Sequence, residues 1–181
     1  MNPPDDVTAV EAAARAAIRE IADFPKAGIR FKDITPLLAD EALFRRVTGA
    51  ISAPFAGQGI SHVIAIESRG FILGAPVAQQ LCAGFVPVRK PGKLPGSVLR
   101  EEYALEYGTD ALEIHDDALT PGSRVLVVDD VLATGGTAAA TCRLVERARA
   151  RVVACAFLVE LTQLHGRQRL VNRTVTALVA F

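Results

Sequence analysis

The sequence predicts an α/β fold built on one parallel sheet with helices on its faces. Short apolar runs rich in β-branched residues alternate along the chain with stretches whose apolar residues recur at helical spacing. The strand-like runs are almost continuously apolar, as in parallel strands whose two faces are both covered. The chain has 181 residues, of which 50% are hydrophobic, and that length suits one domain with its own core. We therefore expect residues 1–181 to form a single domain.

The first predicted elements are two helices and a strand. An Ala-rich helix over residues 8–22 is ended by the Asp-Phe-Pro sequence that follows it. Asp40 is placed to cap a second helix, which ends near Pro54. The first strand then covers residues 63–66, a short β-branched run.

Helix and strand then alternate along the rest of the predicted sheet. A helix follows the first strand, and another lies between the last two strands. These elements are a helix over residues 71–81, strands over 85–88 and 124–128, a helix over 137–150 and a strand over 152–158. No internal repeat, low-complexity tract or linker interrupts the sequence, which agrees with a single domain.

The charges of the chain sum to zero but are unevenly distributed. The 20 basic and 20 acidic side chains balance, so the chain offers no overall attraction to nucleic acid or to an anionic membrane. Residues 89–100 carry four cations and no carboxylate, whereas residues 101–117 carry seven carboxylates and no lysine or arginine. Such runs are typical of solvated loops, unless a neighbouring motif gives them a role. We expect an anionic ligand to be bound locally, by a few placed groups.

The cysteines and histidines give no sign of a disulfide framework or a metal centre. Cys82, Cys142 and Cys155 are odd in number, widely spaced and set among apolar residues, which predicts buried thiols in a reducing compartment. The three histidines are equally scattered and lack metal-ligand spacing. The chain begins without the features of a secretory signal, and its apolar runs are shorter than the ~20 residues of a membrane helix. We expect a cytoplasmic protein with no membrane partner.

The strongest motif lies where the strand over residues 124–128 runs into the next helix. The sequence VVDDVLATGGTAAA, residues 127–140, ends an apolar strand with two adjacent carboxylates, Asp129 and Asp130. Ligands bind at the carboxyl ends of parallel strands, and glycines there let the backbone approach a ligand closely. The free N–H groups of the following helix complete a phosphate site. Its predicted residues are Ala133, Thr134, Gly135, Gly136 and Thr137. The alternative is an ordinary strand-to-helix turn capped by Thr134 or Thr137.

The sequence VVDDVLATGGT resembles the phosphoribosyl-pyrophosphate motif of the type I phosphoribosyltransferase family. The resemblance implies that the loop over residues 133–137 binds the 5′-phosphate of that donor through backbone amides. It also implies that Asp129 and Asp130 bind the ribose hydroxyls and take part in catalysis. Carboxylates suit both tasks, because they accept hydrogen bonds from a diol and favour positive charge that builds on the sugar ring.

Four further segments resemble the adenine phosphoribosyltransferases within that family. They are DFPKAGIRFKDITPLL (residues 23–38), ESRGF (67–71), RKPGKLPG (89–96) with YALEYGTD (103–110), and LVELTQLHGRQRL (158–170). With the donor motif, they cover nearly the whole chain in the family's order. The resemblance implies the type I fold, a single-domain parallel sheet flanked by helices, with a small hood and a mobile catalytic loop over about residues 91–112.

The resemblance assigns the pyrophosphate of the donor to two groups of residues. Ser68, Arg69 and Gly70 open a helix after the first strand, where free N–H groups lie near a guanidinium. In type I enzymes a basic residue after the second strand reaches a neighbouring subunit, so we expect a homodimer. The cations in that region are Arg89, Lys90 and Lys93. The alternatives are a simple helix cap for the first group and a solvated loop for the second.

The remaining implied roles concern the base and the loop over it. Glu106 matches the acid of the catalytic loop, where it accepts or relays the proton that adenine loses, and Tyr107 helps to exclude water as the loop closes. Without the resemblance, Glu106 would be an exposed surface glutamate and Phe31 a core residue. The chain departs from the family at Ala27 and Arg30, where proline and a small apolar residue are common. The residues implied to contact adenine are Arg30, Phe31, Arg69 and Leu161.

The resemblance as a whole implies Mg²⁺-dependent transfer of the 5-phosphoribosyl group to adenine, which gives AMP and pyrophosphate in purine salvage. Magnesium needs no dedicated protein site for this, since it keeps waters and uses substrate oxygens. Two alternatives stay open. One is the same chemistry on hypoxanthine, guanine or xanthine, and the other is a non-catalytic regulator that senses the donor and binds nucleic acid. Residues 143–173, with seven arginines and two glutamates, would give such a regulator a locally basic surface.

Overall fold

The structure is a computed structural model that describes residues 6–104 and 108–181. The chain divides into two compact units, Met1–Ala50 and Ile51–Phe181. The first unit holds small helices and a hairpin, and the second holds the main sheet. Among the described residues, no helix combines the length and apolar character needed to cross a membrane.

The first unit begins with a helix, a two-stranded hairpin and a short second helix, and a third helix runs past its boundary. The bounds are Val7–Ala17 for α1, Arg19–Ala22 for β1, Arg30–Asp33 for β2, Thr35–Ala39 for α2 and Glu41–Ser52 for α3. Asp40 accepts a hydrogen bond from the N–H of Leu43 at 3.0 Å. The predicted cap of α3 at Asp40 is therefore confirmed.

The first predicted helix, over residues 8–22, is wrong at its C-terminal end. Residues 19–22 form β1, because Ile18 already has extended backbone angles of φ −75° and ψ 118°. β1 pairs antiparallel with β2, and Arg19 lies opposite Asp33. The apolar spacing of a helix continues past Ile18, but strand pairing and the 2.6 Å ion pair of Arg19 with Asp33 override that local preference.

The second unit contains a five-stranded parallel sheet, a second hairpin and two further helices. In chain order they are β3 (His62–Ile66), α4 (Arg69–Gln80), β4 (Gly84–Val88), β5 (Val98–Ala104), β6 (Thr109–His115), β7 (Arg124–Leu132), α5 (Gly136–Arg147), β8 (Arg151–Glu160) and β9 (Thr174–Ala180). Short 3₁₀ turns cover Ala53–Phe55, Thr162–Leu164 and Gly166–Arg169.

The order of the strands makes the chain change direction in the middle of the sheet. The strands β4, β3, β7, β8 and β9 are neighbours in that order, and all pair in parallel. The chain crosses from β3 to β4 in one direction and from β7 to β8 in the other. Because such crossovers are right-handed, α4 and α5 lie on opposite faces of the sheet. The predicted parallel α/β sheet is confirmed.

Within the parallel sheet, β7 and β9 differ most from the sequence prediction. β7 extends to Leu132, four residues beyond the predicted strand over 124–128. The edge strand β9 lies outside the predicted elements, because its sequence TVTALVA mixes threonine with apolar residues and most of it is only partly buried. An edge strand pairs on one side only, so it does not need the apolar composition of the central strands.

One apolar cluster joins the central strands, α5 and the hairpin of β5 and β6. Ile64, Ile66, Val125 and Val127 are among its members, and each is at most 1% exposed. Full burial of an aliphatic side chain of this size contributes ~1.5–3 kcal/mol. The cluster therefore packs both the hairpin and α5 against the sheet.

The cysteines are free thiols in different surroundings. Cys142 of α5 and Cys155 of β8 are buried, and their sulfur atoms lie 3.5 Å apart. Cys82 is exposed in the turn after α4, where its φ is 52°. The prediction of three buried thiols is therefore wrong for Cys82, whose apolar neighbours in sequence belong to the end of a helix.

The hairpin of β5 and β6 lies inside the segment predicted as a catalytic loop, residues 91–112. Val98 pairs with His115, and the pairing continues to the end of both strands. Tyr103 and Leu112 belong to the apolar cluster, so much of this segment is regular structure. Glu106 and Tyr107, the residues predicted to act on the base, lie outside the described residues.

Asp33 joins the first hairpin to α2. Its carboxylate accepts the N–H of Thr35 at 2.9 Å, and the Nε and Nη2 atoms of Arg19 donate to it at 3.1 and 2.6 Å. The hydrogen bonds from Thr35, and then that from Arg19, lower the pKa of Asp33 to about 2. A pKa below the unfolded value means that the ionised carboxylate stabilises the folded state.

Asp33→Asn is expected to lower the free energy of unfolding at neutral pH, because Arg19 loses its charged partner. The stabilisation by Asp33 is complete above the unfolded pKa of ~3.9 and disappears as the pH falls through about 2. Urea unfolding of wild type and variant should therefore show a constant difference above about pH 5 that shrinks towards pH 2. The exposed Asp117→Asn serves as control and should show no such difference. A difference that stays the same down to pH 2 would contradict the role of this ion pair.

Candidate active site

A crevice lies where the sheet changes direction, between the carboxyl ends of β3 and β7. These strands are neighbours, and Ala65 near the end of β3 pairs with Val128 in the middle of β7, so β7 extends beyond β3. β3 leads through Glu67 and Ser68 into α4, and β7 leads through a short loop into α5. Ligands of open α/β sheets bind at such a point, because the diverging connections leave a groove. The crevice brings together the predicted sites at residues 68–70 and 129–137.

The loop over residues 133–137 has the geometry of a phosphate site. Gly135 takes a left-handed conformation, with φ 79°, directly before the first residue of α5. The first N–H groups of α5 have no acceptor within the helix, and the helix dipole adds positive potential there. A small depression of about 60 Å³ lies against this loop and Asp129. The predicted residues that meet at this helix N-terminus are Ala133, Thr134, Gly135, Gly136 and Thr137.

Asp129 and Asp130 lie in the last part of β7 instead of after it. Asp129 Oδ1 accepts the N–H of Asp130 at 2.9 Å, and Arg69 Nε donates to Asp130 Oδ2. Gly70 lies against the pair, because a Cβ atom at this position would be 2.7 Å from Asp129 Oδ1. Glycine is therefore required at the start of α4 by its close approach to the end of β7. The structure thus brings Arg69, Gly70 and both predicted carboxylates into one site.

The carboxyl group of Asp129 is buried, although another part of the residue is exposed to solvent. Burial, and next the negative charge of Asp130, raise the pKa of Asp129 well above its ordinary value. The guanidinium of Arg69 opposes this shift. A ligand that donates hydrogen bonds or brings positive charge to Asp129 would favour its ionised form.

Glu67 holds the segment over residues 89–93, the cationic segment, which follows β4. Arg89 donates from Nε and Nη2 to the two oxygens of Glu67 at 3.1 and 3.0 Å, and the N–H of Lys90 donates at 3.1 Å. Arg89 Nη1 also donates to the carbonyl oxygen of Lys93 at 2.9 Å. The hydrogen bond from Arg89 is the main cause that lowers the pKa of Glu67. The sequence prediction missed Glu67, although its position directly before Ser68 was a signal that could have identified it.

The two lysines of this segment have different surroundings. Lys90 Nζ lies 3.2 Å from Asp110 Oδ2, so its charge is partly neutralised. Lys93 is exposed, and no carboxylate among the described residues forms an ion pair with it. Of the three predicted cations, Arg89 is committed to Glu67, and Lys93 has the ammonium group that is most available to an anion.

Several carboxylates of residues 101–117 fasten the structure, so the solvated-loop alternative is wrong for them. Glu101 pairs with Arg143 and Arg147 of α5 at 2.5 and 3.1 Å. Glu113 is buried and accepts the N–H of Gly92 at 3.0 Å. These contacts attach the hairpin of β5 and β6 to α5 on one side and to the cationic segment on the other.

The predicted adenine contacts belong to different units of the chain. Arg30 and Phe31 lie on β2 of the first unit, where the ring of Phe31 packs edge-to-face on Phe24 with centroids 5.1 Å apart. Leu161 follows β8 in the second unit, and its N–H donates to the carbonyl oxygen of Leu132 at 3.0 Å. Within the second unit, Leu161 therefore lies beside the end of β7 that carries the paired carboxylates.

The carboxylates of the crevice offer a limited set of metal ligands. Within residues 6–104 and 108–181, no group of three or more His, Cys, Asp or Glu side chains is arranged to hold a metal ion. Asp129 and Asp130 supply the hard oxygen donors that Mg²⁺ prefers, but Asp130 is engaged by Arg69. These residues fit a magnesium ion that takes most of its ligands from a bound polyphosphate and from water.

Comparisons with known proteins identify the family of this chain. The family model for the phosphoribosyl transferase domain matches residues 33–176. A Myxococcus xanthus protein named adenine phosphoribosyltransferase is 56% identical over 185 residues, which cover 100% of both chains. The chain belongs to the adenine phosphoribosyltransferase family.

Solved structures of adenine phosphoribosyltransferases share this fold. The structure from Rhodothermus marinus is 55% identical with a TM-score of 0.92, covering 96% of this chain and 99% of that chain. The structure from Saccharomyces cerevisiae, complexed with an imino-altritol bisphosphate and adenine, is 38% identical with a TM-score of 0.90, covering 94% and 99%. The type I phosphoribosyltransferase fold and the family that the motifs predict are confirmed.

Asp129→Asn is expected to stabilise the fold at neutral pH. Because the pKa of Asp129 is raised in the folded state, ionisation of this carboxyl destabilises the fold as the pH rises above the unfolded pKa of ~3.9. Asparagine has the same shape and keeps the acceptor for Asp130, but it carries no charge. Thermal melting should show a higher midpoint than wild type at about pH 7 and no difference below about pH 4. Asp117→Asn is the control, and a variant that melts lower than wild type at neutral pH would disprove this role of burial.

Proposed function

We propose that this protein transfers the 5-phosphoribosyl group from 5-phosphoribosyl 1-pyrophosphate to adenine, giving AMP and pyrophosphate. The observation that carries the proposal is the crevice, in which Asp129 and Asp130 lie beside a left-handed glycine loop at the N-terminus of α5. Carboxylates accept hydrogen bonds from a sugar diol, and a helix N-terminus binds a phosphate. A sugar phosphate needs both features side by side. Membership of the adenine phosphoribosyltransferase family supports adenine as the acceptor.

The donor would bind along the end of β7. Backbone N–H groups of residues 133–137 hold the 5′-phosphate, because this loop and the start of α5 present unpaired donors. Asp129 and Asp130 accept hydrogen bonds from the ribose hydroxyls. Hydroxyl donors would favour the ionised form of Asp129 and so oppose the burial that raises its pKa.

The pyrophosphate would bind between the start of α4 and the cationic segment. Ser68 and Gly70 supply backbone N–H groups there, and Arg69 supplies a guanidinium. Lys90 and Lys93 supply ammonium groups, and Lys93 carries the larger share because Lys90 is paired with Asp110. Arg89 acts through its contacts with Glu67 and the backbone of Lys93, which hold the segment in shape.

Adenine would meet groups from several parts of the chain. The family resemblance assigns four residues to adenine: Phe31 would pack on the ring, main-chain groups of Arg30 would read its edge, and Arg69 and Leu161 would also contact it. Glu106 accepts or relays the proton that the ring nitrogen of adenine loses. These assignments rest on the resemblance of the motifs to those of the family.

The reaction exchanges one bond at the anomeric carbon for another. The bond to the pyrophosphate oxygen breaks with its electron pair, and a bond to a ring nitrogen of adenine forms with inversion. The carboxylates of Asp129 and Asp130 would stabilise positive charge that develops on the ribose ring. Closure of the loop that contains Tyr107 excludes water, which would otherwise hydrolyse the donor.

Magnesium is the proposed cofactor. It would neutralise charge on the pyrophosphate and would be held mainly by substrate oxygens and water, and Asp129 could add one carboxylate oxygen. We also propose a homodimer in the cytoplasm. The free cysteines agree with a reducing compartment, and the cationic segment supplies the basic residues that reach a neighbouring subunit in the family.

The nucleic-acid-binding regulator is not favoured by the charge pairing within residues 143–173. Four of the seven arginines in this range form ion pairs with three carboxylates of the same chain. The pairs are Arg143 and Arg147 with Glu101, Arg167 with Glu160, and Arg173 with Glu146. Pairing of this kind offsets three of the seven positive charges and holds four of the side chains in place, which reduces the positive potential available to nucleic acid.

An assay of pyrophosphate release tests the proposed function directly. The protein is supplied with 5-phosphoribosyl 1-pyrophosphate, Mg²⁺ and one of adenine, hypoxanthine, guanine or xanthine. We expect turnover with adenine and at least about a hundredfold lower kcat/KM with the other purines, because a site matched to one base edge leaves polar groups unpaired with another. Turnover with none of the bases would refute the enzyme, and turnover with another purine alone would correct the acceptor.

Lys93→Ala is expected to raise the KM for the donor by about tenfold, because an available ammonium group near the pyrophosphate is lost. The effect should decrease as salt is added, since the group is exposed and its charge is screened. Arg151→Ala removes an exposed cation at the amino end of β8, on the opposite edge of the sheet, and serves as the matched control. Steady-state kinetics at two salt concentrations measure both variants. A donor KM within about twofold of wild type for Lys93→Ala would exclude this lysine from donor binding.

A further inference from the structure

Two glycines from distant parts of the chain are in direct backbone contact behind the 133–137 loop. A Cβ atom on Gly135 would collide with the carbonyl oxygen of Gly166 and would lie 3.1 Å from its carbonyl carbon. A Cβ atom on Gly166 would collide with the carbonyl oxygen of Ala133 and would lie 2.9 Å from Leu132 Cδ1. Gly166 is buried and its φ is not left-handed, so the contact excludes a side chain there.

The segment that presents Gly166 is anchored to three strands of the sheet. The N–H of Leu161 donates to the carbonyl oxygen of Leu132 in β7 at 3.0 Å. Arg167 donates from Nε and Nη2 to both oxygens of Glu160 at the end of β8, each at 2.7 Å, and from Nη1 to Val175 of β9 at 2.8 Å. The side chain of Glu160 is only 9% exposed, so water competes little with this bidentate pair.

We propose that Gly166 is a positioning residue for the 5′-phosphate of the donor. We call residues 160–169 the brace. The brace holds the backbone of Gly166 against the 133–137 loop, so that the N–H groups at the start of α5 stay directed into the crevice. This inference rests on the proposed function, because that function assigns the loop to the 5′-phosphate. It adds a role for a residue that touches the loop without touching the substrate.

The loop needs such support because its own side chains are too small to fix it. Gly135 holds φ 79°, a conformation from which glycine departs easily. The main chain of Gly166 makes the packing contact with the loop that larger side chains would otherwise make. N–H donors that are already held in position lose little conformational entropy when they bind an anion. A displacement of these donors by ~1 Å can reduce the rate of the reaction by up to about a hundredfold.

The test is Gly166→Ala, measured with two probes that report the two ends of the donor. Ribose 5-phosphate reports the 133–137 loop, and pyrophosphate with Mg²⁺ reports the cationic side of the crevice. Titration calorimetry should show at least about tenfold weaker binding of ribose 5-phosphate and an affinity for pyrophosphate within about twofold of wild type. The donor KM should rise with the first value, while kcat at saturating donor changes less.

Two further variants make the result decisive. Gly49→Ala is the matched control, because a Cβ atom there meets no atom within 4 Å, and it should bind both probes like wild type. Arg167→Lys keeps the charge of the brace but loses the bidentate pair with Glu160. It should also weaken ribose 5-phosphate binding, and it carries the test if circular dichroism shows that Gly166→Ala does not fold.

Several outcomes would overturn the inference. One is an unchanged affinity of folded Gly166→Ala for ribose 5-phosphate, and another is equal weakening of both probes, which would mean a general loss of structure. If Gly166→Ala is unfolded, wild-type affinity of Arg167→Lys for ribose 5-phosphate also refutes it. Failure of the proposed function gives a different result, because the wild type itself would then release no pyrophosphate from the donor.

Discussion

The parallel pairing of β3 with β7 is the constraint on which the site depends. Both strands end at the same edge of the sheet, with Ala65 opposite Val128, and the chain leaves them in opposite directions. α4 must then begin beside the end of β7, where a Cβ atom on Gly70 would lie 3.2 Å from the carbonyl oxygen of Val128. The carboxylates, the glycine loop and the guanidinium are all carried by these two strand ends. The register of one strand pair therefore determines the geometry of the crevice.

Charge in the crevice is held by fixed partners. Asp130 is engaged by Arg69, and Glu67 holds Arg89 with both of its oxygens. Across the part of the chain that the structure describes, no buried side-chain nitrogen or oxygen lacks a hydrogen-bond partner. A network of this kind keeps polar groups in place before a ligand arrives, so little order has to be created during binding. That arrangement suits a substrate that brings several negative charges into a small volume.

The sequence was sufficient for the parts of the molecule whose signal is local. The strands β3, β4, β7 and β8 are nearly continuous apolar runs, and residues 127–140 combine strand end, carboxylates and glycines in one stretch. The sequence was insufficient where a local structure or a residue's role depends on partners that are distant in the chain. Residues 19–22 follow helical spacing but pair with β2, and Glu67 gains its role only when Arg89 is brought beside it. Pairing between remote segments leaves no periodicity that a single sequence displays.

The contact between Gly135 and Gly166 also limits how this protein can change. In most packed pairs, a larger side chain at one position can be offset by a smaller one at the other, and the two substitutions then depend on each other. Here the obstacle at each position is a carbonyl oxygen of the main chain, which no substitution removes. Each position is therefore intolerant by itself, whatever residue occupies the other. Any path by which the protein acquires a new base or donor has to leave both glycines in place.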